Sequence, residues 1–385
     1  MISVALSIAV MIVTLSVLLG FKQQITEKVT GFLAHVQIVN YDGNTSFETN
    51  PINSNQDFLS QIKAIDNVSH TQTYALKAGI ISSGNNMQGV VLKGVDSNFD
   101  WSFFNSNMVD GKGFEVNDSA GTSKVCISLK LAQMLQLKLG DNFDAYFVQN
   151  PPRVRRFNIS GIFDTKFGEF DKLYVLCDIK HPQRLNGWSN EQITGFEIYL
   201  KNFDKLNDTY ADIANIAAYK LQPDGSRLAV ESVKERYGQI FQWLALQDMN
   251  AMVIFVLMLA VAGFNMISGL LIILLERSGT IGLLMTLGMR NRNLQKVFVY
   301  QAGFIALQGL VWGNVIGIAI CLLQKYFGIV LLNPDTYYLS QVPIAISWGK
   351  IVLLNLGAIM AITGMLVLPS LLVARVKPSK TLRFN

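Results

Sequence analysis

Charge is scarce in this 385-residue chain. Only 15% of its residues are charged while 50% are hydrophobic. Four stretches, Ile2–Gly20, Ala251–Leu275, Val297–Leu323 and Ile351–Val373, contain no Asp, Glu, Lys or Arg. Each is near the roughly 20 apolar residues that a helix needs to cross about 30 Å of hydrocarbon. A charge at the centre of such a helix would cost at least about 2.5 kcal/mol. A buried helix of a soluble protein could imitate one such run, but not four. Histidine and cysteine are also scarce, with three of each. His35, His70 and His181 have no metal-ligand spacing to one another or to the cysteines. Cys126 and Cys177 lie where a disulfide would be permitted, yet they read best as small buried apolar residues, and Cys321 falls inside a run. There is no G-x-S-x-G elbow. The one Gly-Lys pair in the long polar stretch, Gly111-Lys112, has no G-x-x-x-x-G-K-[ST] around it, which excludes a P-loop of the chain's own. The neighbouring carboxylates Glu169 and Asp171 read as a solvated loop pair. No hydrolase, transferase or redox constellation stands out, so the chain reads as non-enzymatic, without a metal or cofactor of its own.

What charge there is sits in two places. The loop Glu276–Lys296 holds Arg277, Arg290, Arg292 and Lys296 against a single acid, Glu276. The tail holds Arg375, Lys377, Lys380 and Arg383 with no acid. The chain's formal net charge of +5 is therefore concentrated beside apolar runs, the mark of cytoplasmic loops and not of a nucleic-acid-binding face. Loop and tail are separated by two spans and so share a side. The segment between those spans carries only Lys325, Asp335 and Lys350 and faces outward. By parity residues 22–250 are extracytoplasmic and the N-terminus is inside. No basic residue precedes the first run, so local charge does not support that orientation. A cleaved signal peptide would need a basic n-region and a small-x-small site that the chain does not show. An uncleaved anchor whose natural start lies upstream is the expectation.

The polar stretch reads as mixed α/β. Strands are expected over His35–Asn40, Ala75–Ile81, Gln88–Val95 and Lys124–Ile127. Ser82-Ser83-Gly84-Asn85-Asn86 is the turn of a hairpin. Helices are expected over Phe58–Ile65, Leu129–Leu135 and Asp204–Ala218. Two strand pairs complete the pattern, Phe143–Val148 with Phe157–Phe163 through Pro151-Pro152, and Leu173–Leu176 with Phe196–Leu200. From about Leu228 the steps of Val230, Val233, Tyr237, Ile240, Phe241 and Leu244 predict a helix that continues into the second span as a rod.

The most informative segment is Glu276-Arg277-Ser278-Gly279-Thr280-Ile281-Gly282-Leu283-Leu284-Met285-Thr286-Leu287-Gly288-Met289-Arg290. A charged pair ends a membrane crossing and a short apolar helix follows. Such a helix escapes water either in the lipid interface or in a groove of a partner. The run E-R-x-x-x-I-G-x-L-x-x-L-G resembles the coupling segment of FtsX/MacB-type ABC transporter permeases. The order of one span, large domain, three spans and short tail is similar as well. Val125-Cys126-Ile127-Ser128-Leu129-Lys130-Leu131-Ala132 through Leu137, Gly140 and Asp141 resembles that family's periplasmic core. Gly161-Ile162-Phe163 followed by Glu169-Phe170-Asp171 resembles its continuation. The branch it looks most like is the lipoprotein-releasing LolC/LolE kind. Two features depart from the pattern: Thr280 stands where an acidic residue is usual, and the basic amphipathic segment before the first span is missing.

The resemblance implies an α-helical membrane protein of four transmembrane helices, with a large extracytoplasmic α/β domain inserted between helices 1 and 2. It divides the chain into a first span at 1–21, a MacB-like periplasmic core at 22–245 and a second span at 246–275. A coupling loop at 276–296, a third span at 297–323, a periplasmic loop at 324–350, a fourth span at 351–374 and a tail at 375–385 follow, with 251–385 forming an FtsX-like permease domain. It implies a bacterial inner-membrane location and a separate cytoplasmic ABC ATPase docking at Glu276, Arg277, Ile281, Gly282, Leu284, Leu287 and Gly288. It also implies a second permease subunit, lipoprotein cargo and a periplasmic carrier. Gly309, Gly313 and Gly317 form a small-residue face for helix packing. The few uncharged polar residues of the spans (Asn265, Gln301, Gln308, Asn314, Asn355) line no ion path well, which favours mechanical transmission. A peptide or toxin exporter, a regulator of cell-wall hydrolysis and an uncoupled scaffold are the other readings.

Overall fold

The structure, a computed structural model, describes residues 1–42, 46–84, 86–116, 121–222, 225–337 and 339–373. The basic tail and Asn85 of the hairpin turn lie outside the described residues. In chain order the elements are α1 (Ile2–Leu33), β1 (Val36–Asn40), β2 (Ile52–Asn53), α2 (Leu59–Lys63), β3 (Val68–Ser83), β4 (Asn86–Val95), α3 (Ser102–Ser106) and β5 (Met108–Gly111). Then come β6 (Lys124–Ser128), α4 (Leu129–Leu135), β7 (Asn142–Phe147), β8 (Arg153–Phe163), α5 (Gly168–Leu173), β9 (Tyr174–Asp178), α6 (Lys180–Asn186), β10 (Gln192–Ile193) and β11 (Gly195–Leu200). A 3-10 turn (Phe203–Lys205), α7 (Leu206–Ala217), β12 (Leu228–Ser232) and α8 (Val233–Arg236) lead to α9 (Gly238–Glu276), α10 (Ser278–Thr286), α11 (Asn291–Phe327), α12 (Pro334–Tyr337) and α13 (Trp348–Val373).

The chain divides into two compact units, one of residues 25–241 and 332–340, the other of residues 1–24, 242–331 and 341–385. The first is built on one sheet in the order β12-β1-β11-β3-β4-β9-β6-β8-β5, with β7 bridging β3 and β8. Pairing is antiparallel except for β4 with β9 and β6 with β8. Through β7 the strands β3, β4, β9, β6, β8 and β7 close into a ring. Side chains fill that ring, as in other small barrels: Ile81, Leu92, Ile127, Phe147, Phe157 and Val175 are buried together. Leu131 and Leu135 of α4 join them, and Ser128 caps that helix by accepting the Leu131 N–H at 3.0 Å. Gly84, at φ +58°, turns the β3–β4 hairpin.

Two expectations about the strands of this unit fail. Residues 228–232 form β12, paired with β1 from Val36↔Ser232 to Asn40↔Leu228, and not a helix. Helix starts only at Ser232, whose hydroxyl accepts the Glu235 N–H at 3.2 Å while the Glu235 carboxylate accepts the Ser232 N–H at 3.1 Å. That reciprocal cap is written in the sequence as Ser232-Val233-Lys234-Glu235. α8 then breaks at Tyr237, and the long helix begins at Gly238. The second failure is the pairing of residues 173–176 with 196–200. β9 instead lies beside β4 and meets β6 at Cys126↔Leu176, while β11 lies between β1 and β3. Alternation predicts a strand's existence, but its neighbour is set by long-range burial. Cys126 and Cys177 are free and buried, and burial pushes the Cys126 thiol up to about 12.

The other unit contains apolar helices. Among the described residues, four helices are long and apolar enough to cross a membrane. Val4, Ile8, Ile12, Ala262, Met266, Leu270, Ala302 and Ile362 form the core between them. Leu6, Val256, Phe264, Trp312, Leu353 and Met360 are exposed on the outside, an apolar surface that lipid tolerates and water does not. Polar side chains pair with one another. Asn314 and Asn355 exchange two amide hydrogen bonds of 2.9 Å, and the Asn265 amide donates to Ser3 Oγ at 2.6 Å. Gly309, Gly313 and Gly317 lie against α1: added Cβ atoms would stand 2.8 Å from Val4 Cβ, 2.7 Å from the Ala5 carbonyl and 3.1 Å from Ala9 Cα. Gly313→Ile should force α1 and α11 apart, costing about 1–3 kcal/mol by overpacking, and should lower the thermal midpoint of the detergent-solubilised chain. An unchanged midpoint would contradict the close contact.

Candidate functional site

α10 follows from local chemistry. Glu276 ends α9, Arg277 joins the two helices with its N–H on the Ile273 carbonyl at 3.0 Å, and both side chains are exposed. Ile281 and Gly282 fall on α10. Gly288, at φ +90°, stops the helix, and the Met289 N–H reaches back to the Leu284 carbonyl at 3.0 Å. This six-to-one bond is the Schellman closure that a left-handed glycine permits. Leu284 and Met289, the pair such a closure brings together, are half-buried against the apolar core of their own unit. Leu287, just past the end of α10, is 76% exposed, and so is Leu283 at 58%, one turn earlier, whose carbonyl accepts the Leu287 N–H at 3.1 Å. Of the leucines singled out above, then, Leu287 points outward and Leu284 holds the helix down. Leu283, not selected from the sequence, shares the outward face with Leu287. The 3.6-residue period would have distinguished them had the direction of the core been known.

A second constellation, absent from the sequence reading, lies in the α/β unit. Lys93 and Glu197, 1% and 0% exposed, form an ion pair of 2.6 Å. Glu197 Oε2 accepts Gln72 Nε2 at 2.8 Å, and Oε1 also accepts Gln37 Nε2 at 3.4 Å. Tyr74 donates its hydroxyl to Gln37 Oε1 at 3.3 Å. These side chains come from four adjacent strands, because Gln37 stands opposite Glu197, Glu197 opposite Gln72, and Lys93 opposite Leu76. The row faces the end of α1. Lys93 Nζ donates to the Phe32 carbonyl, and Gln37 Nε2 donates to the Leu33 carbonyl at 2.9 Å. Terminal carbonyls that no further turn of helix can satisfy thus meet a cation and an amide. Phe32 itself is anchored among Phe104, Phe163, Phe170 and Tyr174, at centroid distances of 5.4 to 6.2 Å.

Asp171, expected to be solvated, is buried. Its carboxylate accepts Thr165 Oγ1 at 2.6 Å and the Phe167 N–H at 3.1 Å. Desolvation holds its pKa above the usual carboxylate range despite those bonds. It ties the start of α5 to the strand end before it, a structural role. His35, between α1 and β1, accepts the Leu200 N–H at Nδ1 (3.2 Å), and burial lowers its pKa to about 4. Among the described residues no group of three or more His, Cys, Asp or Glu could hold a metal ion.

The chain thus combines an apolar helical unit with a mixed α/β unit and a short helix that has exposed leucines beside an exposed Glu-Arg pair. The model for the MacB-like periplasmic core domain matches residues 1–216, and that for the FtsX-like permease C-terminal region matches residues 252–378. The chain belongs to this family of ABC transporter permeases. The lipoprotein-releasing system transmembrane protein LolC of Xylella fastidiosa (strain Temecula1 / ATCC 700964) is 21% identical over 99% of this chain and 92% of that protein. LolE of Haemophilus influenzae is 22% identical over the same shares. The solved periplasmic region of MacB from Actinobacillus actinomycetemcomitans is 10% identical, covering 53% of this chain and 91% of that one with a TM-score of 0.35.

His35 gives the α/β unit a pH dependence of defined sign. Unfolded, the imidazole takes up its proton near 6.5; folded, it does so only at about 4. The unfolded state therefore holds more protons across that window, and stability falls as the pH is lowered through it. His35→Asn, which keeps an acceptor without the titration, should flatten the fall in thermal midpoint between pH 6.5 and 4. A variant that loses stability in parallel with the parent would remove His35 as the cause.

Proposed function

We propose that this permease subunit releases lipoproteins from the inner membrane for transfer to the outer membrane. It does so by transmitting movement and not by conducting a solute. ATP is hydrolysed in a separate cytoplasmic subunit that docks on α10 and its flanks, Glu276, Arg277, Ile281, Gly282, Leu287 and Gly288, with Leu284 setting the helix in place. A second permease subunit, the same or a sister chain, completes the assembly. The unit of residues 25–241 lies in the periplasm, where it meets cargo and a soluble carrier. The observation that carries this reading is the face of Leu283 and Leu287. An exposed leucine on a fastened nine-residue helix, with a second one turn on and just past its end, is what a partner's groove accommodates. The names of the curated relatives supply the cargo class.

Leu283→Asp with Leu287→Asp places two charges on that face while leaving the core contacts of Leu284 intact. The double variant should insert into the membrane at parental levels but lose the ATPase subunit on co-purification. Equal recovery of the ATPase would remove the docking assignment. Depletion of the chain should leave lipoproteins in the inner membrane. Drug or toxin sensitivity would identify an exporter instead, and chaining cells a regulator of wall hydrolysis.

A further inference from the structure

Two of the segments that lead from the α/β unit toward the apolar helices end beside one another. One is the end of α1 at Leu33, the other Ser232–Tyr237 ahead of α9. They are neighbours: Val36 stands opposite Ser232 in the β1–β12 pairing, and the Val233 N–H donates to the His35 carbonyl at 3.0 Å. Both lead to the buried row. Phe32 and Leu33 give it their carbonyls. Arg236 and Tyr237 line the same small space as Lys93, Glu197, Gln37 and Tyr74. That space has room for about one water molecule. The segments and the four strands can therefore shift only together or by breaking these bonds.

We propose that the Lys93–Glu197 pair, with Gln37 and Gln72, is the junction through which movement of α1 and α9 reaches the sheet of the α/β unit. This rests on the permease reading above and adds to it the residues where transmission enters the domain. An apolar cluster would hold the helix end as firmly against separation, but it would let the end slide, since dispersion contacts have no preferred register. Charge-assisted hydrogen bonds to particular carbonyls fix both distance and direction. The junction is thus a positioning device: Lys93 contacts neither nucleotide nor cargo.

The test compares three variants of the full chain in the assembled, membrane-reconstituted complex with its ATPase. Lys93→Met with Glu197→Gln removes both charges at once, so that neither is left buried without its partner and the fold is kept. Ser128→Ala, which loosens α4 and its bond to the Asp171 carbonyl, damages the same unit without touching the bonds to the Phe32 and Leu33 carbonyls. Gln37→Leu releases the Leu33 carbonyl, together with the amide's bonds to Glu197 and Tyr74, and leaves both charges in place. The double variant should hold the ATPase subunit and hydrolyse ATP within about twofold of the parent. Its lipoprotein release per ATP should fall by about tenfold, the size of a lost coupling energy between sites. Gln37→Leu should fall between the two, and Ser128→Ala should lower the thermal midpoint while leaving the ratio unchanged. The proposal is overturned if the double variant keeps the parental ratio, or if Ser128→Ala lowers the ratio as far at equal loss of midpoint. Absence of release in the parent itself would instead overturn the cargo reading.

Discussion

The end of a helix is a problem of four unpaired carbonyls, and in the α/β unit the fold is organised around solving it once. α1 runs 32 residues to Leu33 and stops inside protein, where water cannot take up the open valences. Lys93 meets one of them, and a buried ammonium then demands a carboxylate, which Glu197 supplies. That carboxylate demands further donors, and Gln72 and Gln37 supply those. Each requirement recruits a side chain from the next strand, so four strands must keep one register for any part of the row to be satisfied. A one-residue slip of β11 would turn Glu197 to the opposite face and leave Lys93 buried and unpaired, a penalty of several kcal/mol. The sheet order around β1, β11, β3 and β4 is fixed by this chain of obligations as much as by apolar burial.

Much of the architecture is legible in the residues wherever the physics is local. A span is a matter of length and missing charge. The β3–β4 hairpin needs a glycine able to adopt positive φ between two alternating runs, and Gly84 provides it. α4 follows Ser128 because a serine side chain can cap and Leu131, Ala132 and Leu135 share one face. The end of α10 is equally local: Gly288 alone permits the closure that sets Leu284 and Met289 against the core. In each case the deciding contact lies within six residues.

Where the deciding contact is distant, the pattern misleads. Val230, Val233 and Tyr237 fall at helical spacing, yet Val230 also alternates with Leu228 and Ser232, and pairing with β1 favours the strand. The cap at Ser232 was available as evidence against a helix beginning at Leu228, since a capping box marks a helix's start. Glu197 and Lys93 stand 104 positions apart, and nothing near either residue distinguishes it from a solvated charge on an exposed strand. Asp171 is the same case in miniature: in a loop of mixed charge its burial is decided by Thr165 and by the Ser128 side chain reaching the Asp171 carbonyl from another element.

The two fastened helix ends differ in kind, and the difference bears on how movement could pass along the chain. α10 is held by one backbone closure and apolar contacts, which resist little when a partner's groove tilts the helix, because many orientations bury Leu284 almost equally well. The end of α1 is held by ionic and amide bonds to particular atoms, which resist tilt and slide alike. Between such ends lie helices whose backbone bonds run unbroken, α9 for 39 residues, or roughly 58 Å at 1.5 Å per residue. That is about twice the hydrocarbon thickness, so the helix is longer than crossing alone requires. If α10 is the driven end and the end of α1 the receiving one, as proposed above, a compliant grip on the first and a stiff grip on the second would let a small rotation be accepted without unfolding and delivered to the sheet. With the two reversed, the same push would tear α10 from its core before the sheet moved.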